Sequence, residues 1–191
     1  MAMNDYADNR WKDRPQVWED RFALKVAYSF PPGHGLLAGA RYPVLCFLHG
    51  DKECGRGPDK GKEIERAMSE HGPLLADESC SIARAKFIIV CPQLPYPGGD
   101  VWRNHCGAVL QIVRQMHERE QGDPTATYLA GFSYGGDGVF DIAAMGSDIS
   151  WKALWGVDPT REPIGKPGCA TWLSAGPRAR AAKQAAAQPR L

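Results

Sequence analysis

Apolar runs bounded by turn residues mark the strands predicted along this chain. The runs at residues 42–48 and 86–91 are almost continuously apolar, which is typical of strands buried on both faces of a parallel sheet. Further strands are predicted from shorter or alternating apolar runs at residues 22–28, 127–130, 151–157 and 169–173.

Segments with helical periodicity lie between these strands. Residues 62–71 carry apolar side chains on one side and end at Gly72-Pro73, and residues 101–121 do the same before Gly122, the predicted cap. A third helix is predicted at residues 134–145. Because strands and helices alternate, we predict an α/β fold of three layers, with a mostly parallel sheet covered on both faces.

The length and charge of the chain favour a single globular domain. Of its 191 residues, we assign 22–175 to the domain. Residues 1–21 are a polar lead-in, and residues 176–191 are a low-complexity tail, disordered or helical. The 23 basic and 22 acidic residues leave a net charge of +1, so we expect no nucleic-acid partner. No apolar run approaches the ~20 residues that cross a bilayer, so we expect no membrane partner either.

The cysteines indicate a reducing compartment. None of the six forms a C-x-x-C pair or a cluster typical of metal sites, so we expect reduced thiols and no metal. The N-terminal residues lack the basic and apolar regions of a signal peptide. We therefore predict a cytoplasmic protein.

One segment combines a strand, a sharp turn and a helix, with a serine at the apex of the turn. Residues 127–130 lead directly into Gly-Phe-Ser-Tyr-Gly-Gly at residues 131–136. Glycines on both sides suit a strained turn with little room for Cβ atoms. Such a turn would expose the Ser133 hydroxyl beyond the sheet and aim the N–H groups of the next helix at an oxyanion. The alternative is a glycine-rich turn that binds phosphate through backbone amides.

Together the segments resemble the α/β-hydrolase fold, and within it the esterase-like branch of polyhydroxybutyrate depolymerase-type and prolyl-oligopeptidase-like hydrolases. The resemblance covers residues 22–175. It rests on residues 42–50 (ending in Leu-His-Gly), the loop 53–57, His-Gly-Pro at 71–73, residues 88–93, Trp102 and residues 128–136.

The resemblance implies a serine hydrolase that acts on small-molecule esters or related acyl bonds without a cofactor. Ser133 would be the nucleophile and would form an acyl-enzyme that water hydrolyses. The N–H of Tyr134 would be one oxyanion donor, and the loop at Gly50 would supply the second, through the N–H of Asp51.

Two further positions have a structural interpretation beside the functional one. Asp158 ends a predicted strand, where some hydrolases of this fold place the catalytic acid, but Asp-Pro is also a turn signal. Trp102 would bind substrate in the acyl pocket, or it would be a core or rim residue. Asp137 and Asp141 are expected to form a solvated helix face rather than a metal site.

The histidines depart from the order of serine, acid and histidine that the family shows. All five precede Ser133, at positions 34, 49, 71, 105 and 117. We expect His49 to order the oxyanion loop and His71 to lie at a helix C-terminus without a catalytic role.

The tail at residues 176–191 is rich in Ala, Arg and Gln, and we expect no core strand from it. We therefore hypothesise a C-terminally truncated or frame-shifted member of the family. Its activity would be weak or absent for want of a base. The alternative function is an inactive binding or interaction protein of the same fold. A missing last strand and helix would expose an apolar sheet edge and favour a homo-oligomer.

Overall fold

Seven strands of the described residues form one sheet, with helices packed on both faces. The computed structural model describes residues 16–18, 24–55, 64, 71–75, 80–98, 101–163 and 165–175. The strands are β1 (Gln16–Trp18), β2 (Lys25–Ser29), β3 (Tyr42–Leu48), β4 (Ile88–Gln93), β5 (Gly122–Phe132), β6 (Trp151–Val157) and β7 (Ala170–Ser174). The helices are α1 (Ser81–Lys86), α2 (Val101–Asn104), α3 (Cys106–Arg119) and α4 (Tyr134–Ala144), and a 3₁₀ turn, Asp51–Glu53, follows β3.

The strand order brings three strand ends together at one edge of the sheet. The order is β1-β2-β4-β3-β5-β6-β7, with β2 antiparallel to both of its neighbours and every other pair parallel. Leu48 at the end of β3 lies opposite Gly131 of β5, and Phe132 lies opposite Val157 of β6. Because ligands of open α/β sheets bind outside the carboxyl ends of the strands, this edge is where a site is expected.

Apolar side chains fill both interfaces between the sheet and its helices. Helices α2, α3 and α4 pack on one face through a cluster that includes Val109, Ile112 and Phe140. A smaller cluster on the other face includes Phe47 and Ala83 of α1. The predicted three-layer α/β architecture with a mostly parallel sheet is thus confirmed. No helix within the described ranges is both long and apolar enough to cross a bilayer.

Most predicted elements are present, with shifted bounds. The predicted strands at 42–48 and 151–157 match β3 and β6. The sheet begins at Gln16, earlier than the predicted domain boundary at residue 22. Gly122 is the first residue of β5 rather than a helix cap. The predicted helix at 62–71 lies largely outside the described residues, as does the tail at 176–191.

Two local departures have physical causes. Strand β4 continues through Pro92, where it pairs with β2, while its register with β3 runs from Ile88 to Val90. A proline is tolerated there because one side of the strand needs no N–H donor.

The predicted helix at 101–121 breaks at His105, whose N–H donates to the carbonyl of Trp102 across 3.0 Å, and α3 begins after it.

On the second face of the sheet, β6 and β7 carry exposed tryptophan side chains. Trp155 and Trp172 are 49% and 59% exposed, and both line a groove of about 440 Å³ with the apolar side chains of Leu45, Phe87 and Tyr128. This exposed apolar surface lies on a face of the sheet, whereas the sequence predicted an exposed edge. Self-association through it stays a prediction.

Helices α2 and α4 cross so closely that Gly138 has no room for a side chain. A Cβ at Gly138 would lie 2.6 Å from the Cβ of Trp102. We expect Gly138→Ala to lower the free energy of unfolding by about 1–3 kcal/mol, because the buried indole is fixed close to the backbone. Urea unfolding followed by circular dichroism would measure it.

Gly107 in α3 is the matched control, because a Cβ there would meet no atom within 4 Å. Gly107→Ala should raise the free energy of unfolding by about 0.5–1 kcal/mol through helix propensity. Equal effects of the two substitutions would contradict the close contact between the helices.

Candidate active site

The turn between β5 and α4 holds Ser133 in a strained backbone conformation. Its φ is 56° and its ψ is −118°, a region that residues with a side chain rarely adopt. The N–H of Ser133 donates to the carbonyl of Val157 across 2.9 Å, and its own carbonyl accepts the N–H of Asp137 across 3.2 Å. The turn is therefore fixed on one side by β6 and on the other by the first turn of α4.

Two glycines let β3 approach this turn. A Cβ at Gly135 would lie 1.9 Å from the carbonyl oxygen of Leu48, and a Cβ at Gly131 would lie 2.3 Å from the carbonyl oxygen of Gly135. Both positions exclude a side chain. The close approach puts the loop after β3 directly beside Ser133.

A cavity of about 390 Å³ opens at this junction. Tyr134 lies at the start of α4, and Asp51 lies at the start of the 3₁₀ turn. The first N–H groups of a helical segment have no acceptor within it. Both predicted oxyanion donors are thus at the wall of the cavity, whose lining residues are Gly50, Asp51, Lys52, Glu53, His71, Phe132, Ser133 and Tyr134.

The N–H of Gly50 already has a hydrogen-bond acceptor. It donates to Oε2 of Glu53 across 2.9 Å, which closes the 3₁₀ turn on itself. Gly50 thus shapes the loop at the cavity wall, and its membership of the oxyanion hole stays a prediction. The carboxylate of Asp51 accepts the N–H of Gly98 across 2.6 Å.

Glu53 and His71 are site residues that the sequence analysis missed. Glu53 is only 2% exposed, and its Oε1 accepts the backbone N–H of His71 across 3.1 Å. Burial raises the pKa of Glu53, while hydrogen bonds from Gly50 and the charge of His71 oppose the rise. The bond from Gly50 N–H to Glu53 is the carboxylate half of a capping box, but Gly50 has no side chain, so the sequence carries no full capping-box signal there.

The ring of His71 stacks on Phe132, the residue before Ser133. The two ring centroids are 3.9 Å apart, with the planes inclined by 16°. Nδ1 of His71 lies 3.4 Å from Oε1 of Glu53. His71, expected to have no catalytic role, is therefore part of the cavity wall.

His49 supports the loop as a buried neutral ring. Its Nε2 accepts the N–H of Leu94 across 3.0 Å, and its Nδ1 lies 2.7 Å from the carbonyl oxygen of Gly50. Because a backbone N–H requires an acceptor and a carbonyl requires a donor, only the Nδ1–H tautomer satisfies both. Burial lowers the pKa of His49 to about 4. These contacts agree with the expected ordering of the oxyanion loop.

Trp102 lies in the core, in agreement with its structural interpretation, and its role in substrate binding stays a prediction. Its side chain is 2% exposed and does not line the cavity. The indole Nε1–H donates to the carbonyl of His49 across 3.1 Å. It therefore fixes the backbone of the loop after β3.

Asp158 is likewise not brought into the cavity. It follows β6 with a φ of 47°, and its N–H donates to the carbonyl of Ser174 across 2.7 Å. Asp158 lies in the turn between β6 and β7 and is not among the residues that line the cavity beside Ser133, and its role as the catalytic acid stays a prediction.

Asp137 and Asp141 are buried, so the prediction that they form a solvated helix face is wrong. Asp137 accepts the N–H groups of Thr160 and Arg161 across 2.7 and 3.2 Å. Asp141 pairs with Arg161 and, across 3.2 Å, with Arg103. The two carboxylates therefore fasten the loop after β6 to α4.

Comparison with solved structures identifies the fold. A thermostable esterase superposes with a TM-score of 0.57 and 17% identity over 85% of this chain and 46% of the esterase. A poly(3-hydroxybutyrate) depolymerase from Bordetella parapertussis gives 0.55 and 18% over 86% of this chain and 64% of the depolymerase. A puromycin-hydrolysing peptidase of Mycobacterium tuberculosis gives 0.56 and 14%, over 84% of this chain and 25% of the peptidase.

These structures share the α/β-hydrolase fold, and the chain has that fold, as its sequence resemblance implied. It spans less than two thirds of the length of each of the three. No protein-family model and no curated protein sequence matches it.

The neutral state of His49 makes stability depend on pH. Because its folded pKa of about 4 is below the ordinary value near 6.5, the unfolded chain binds more protons as the pH falls between these values. We expect the wild type to lose about 2 kcal/mol more than His49→Asn between pH 7 and pH 5. Urea unfolding at both pH values would measure this, and parallel losses in the two proteins would contradict a neutral His49.

The backbone strain at Ser133 predicts a gain in stability when glycine replaces it. Ser133→Gly should raise the free energy of unfolding by about 1 kcal/mol relative to Ser133→Ala, because only glycine adopts this conformation freely. Both variants lack the hydroxyl, so their difference isolates the backbone. Equal urea midpoints would show that the turn is unstrained.

Proposed function

We propose that this α/β-hydrolase-fold protein is a serine hydrolase that cleaves carboxylic esters or related acyl bonds through an acyl-enzyme on Ser133. One observation carries the proposal. Ser133 lies at a positive-φ turn on the wall of a cavity of about 390 Å³, between the N-termini of α4 and of the 3₁₀ turn. A volume of this size suits a small-molecule substrate.

The chemistry follows from which groups share that cavity. Oγ of Ser133 attacks the acyl carbon, and the carbonyl oxygen of the substrate becomes an oxyanion. The N–H groups of Tyr134 and Asp51 donate to it, aided by the positive end of α4. Each such donor stabilises the transition state by about 3 kcal/mol. The oxyanion collapses to the acyl-enzyme as the bond to the alcohol breaks and the alcohol leaves. Water then hydrolyses the acyl-enzyme, which releases the acid and restores Ser133.

The fold neighbours support a hydrolase in general, because an esterase, a depolymerase and a peptidase are among them. Esters are the favoured substrates because the sequence motifs resemble the esterase-like branch. We also infer a cytoplasmic location, since all six cysteines are free thiols and disulfides are rare in that compartment.

Labelling with a fluorophosphonate tests the proposal, because its phosphorus forms a covalent bond with the oxygen of an activated serine. We expect wild-type protein to form one covalent adduct, located on the peptide that contains Ser133 by mass spectrometry, and Ser133→Ala to form none. Hydrolysis of p-nitrophenyl acetate should fall to the background rate in the same variant.

Ser147, which caps a surface turn after α4, provides the matched control. Ser147→Ala should be labelled as fast as the wild type. Absence of labelling in folded wild-type protein would overturn the proposal and favour the inactive binding protein of the same fold.

A further inference from the structure

The wall of the cavity contains a carboxylate and an imidazole to which the steps above assign no role. Glu53 and His71 line the same cavity as Ser133. Their contact across 3.4 Å joins the buried carboxylate to a ring whose side chain is 41% exposed. The pair therefore connects the interior of the loop after β3 to the open cavity.

The carboxylate is fixed independently of the imidazole. Oε2 of Glu53 accepts the N–H of Gly50, and Oε1 accepts the N–H of His71. The backbone carbonyl of Glu53 in turn accepts Nε2–H of Gln93 across 3.0 Å. Because both oxygens are oriented by backbone donors, Oε1 keeps its position facing Nδ1 of His71.

This arrangement selects one tautomer of His71. A carboxylate facing Nδ1 accepts its proton and leaves the lone pair on Nε2. The stack on Phe132, with ring centroids 3.9 Å apart, fixes the plane of the ring beside the backbone that leads into Ser133. The exposed part of the ring is open to solvent, so the imidazole can exchange its proton.

The other histidines do not meet these conditions. Of the five, all within the described residues, only His71 lines the cavity. His49 has both nitrogens engaged in the interior. His34 and His117 bond to Glu120 and Thr127, far from Ser133 in the fold, and His105 precedes α3.

We propose that His71 is the general base for Ser133 and that Glu53 is the residue that positions it. This inference rests on the proposed function. Nε2 of His71 takes the proton from the Ser133 hydroxyl, directly or through one water, as Oγ bonds to the acyl carbon. The imidazolium returns that proton to the leaving alcohol when the ester bond breaks. In the second half, Nε2 takes a proton from water, which attacks the acyl-enzyme, and delivers it to Oγ as the acid departs.

The resulting order along the chain is acid, histidine, serine. Catalytic constellations are recognised by geometry and roles and not by chain order. The acid and the histidine both come from the connection between β3 and β4, and both lie at the carboxyl edge of the sheet.

The test measures the rate of fluorophosphonate labelling in His71→Phe, which keeps a ring to stack on Phe132 but has no nitrogen. We expect a loss of about 10²–10⁴-fold, the range of general-base catalysis. In His71→Ala the rate should fall similarly and recover when free imidazole is added. His105→Ala, outside the cavity, should label at the wild-type rate with no response to imidazole.

Glu53→Gln tests positioning, since glutamine still offers an oxygen to the N–H of Gly50 but not a carboxylate to Nδ1. We expect the maximal labelling rate to fall while the half-saturating probe concentration stays unchanged. A loss caused by a distorted cavity would change both.

The outcomes separate the two proposals. Wild-type labelling on Ser133 together with an unchanged rate in folded His71→Phe overturns the role of His71 and leaves the serine hydrolase standing. Absence of wild-type labelling overturns both. If His71→Phe lacks the wild-type circular dichroism spectrum, the labelling rate of His71→Ala decides. Recovery of that rate with imidazole supports His71 as the base, and no recovery overturns this role.

Discussion

The site depends on a steric constraint, the contact between the end of β3 and the turn after β5. Only hydrogen at Gly135 lets the carbonyl oxygen of Leu48 lie 1.9 Å from where a Cβ would be. That approach brings the loop after β3 beside Ser133, so both sides of the cavity are built at one junction. The strained backbone of Ser133 persists because its N–H and carbonyl are both engaged.

Buried polar contacts then convert this proximity into a fixed geometry. His49 bridges the loop to the end of β4 through Leu94, and Trp102 donates to the carbonyl of His49. Glu53 ties Gly50 to His71 within the same loop. Since an unpaired polar group in the interior costs about 1–3 kcal/mol, each partner favours one arrangement of the others. The loop is thus anchored to the core through the buried side chains of His49 and Glu53.

The fold was predictable because it depends on local patterns, whereas much of the site depends on long-range contacts. A continuous apolar run located β3, a shorter or alternating run located β6, and flanking glycines located the turn at Ser133. The sequence does not reveal which side of a helix or strand end faces the cavity, so it could not place Trp102 in the core or Asp158 outside the cavity lining. The pairing of Glu53 with His71 joins residues 18 apart in sequence, and no periodicity predicts that contact.

The edge strand β7 influences the mobility of the Ser133 backbone. β7 is open to solvent on the face that carries Trp172, so its backbone should exchange hydrogen sooner than the central strands. The carbonyl of Ser174 in β7 accepts the N–H of Asp158, and the adjacent Val157 accepts the N–H of Ser133. Local opening of β7 would therefore weaken the support of the Ser133 backbone through these two hydrogen bonds. A ligand that covers β7 would reduce the mobility of Ser133.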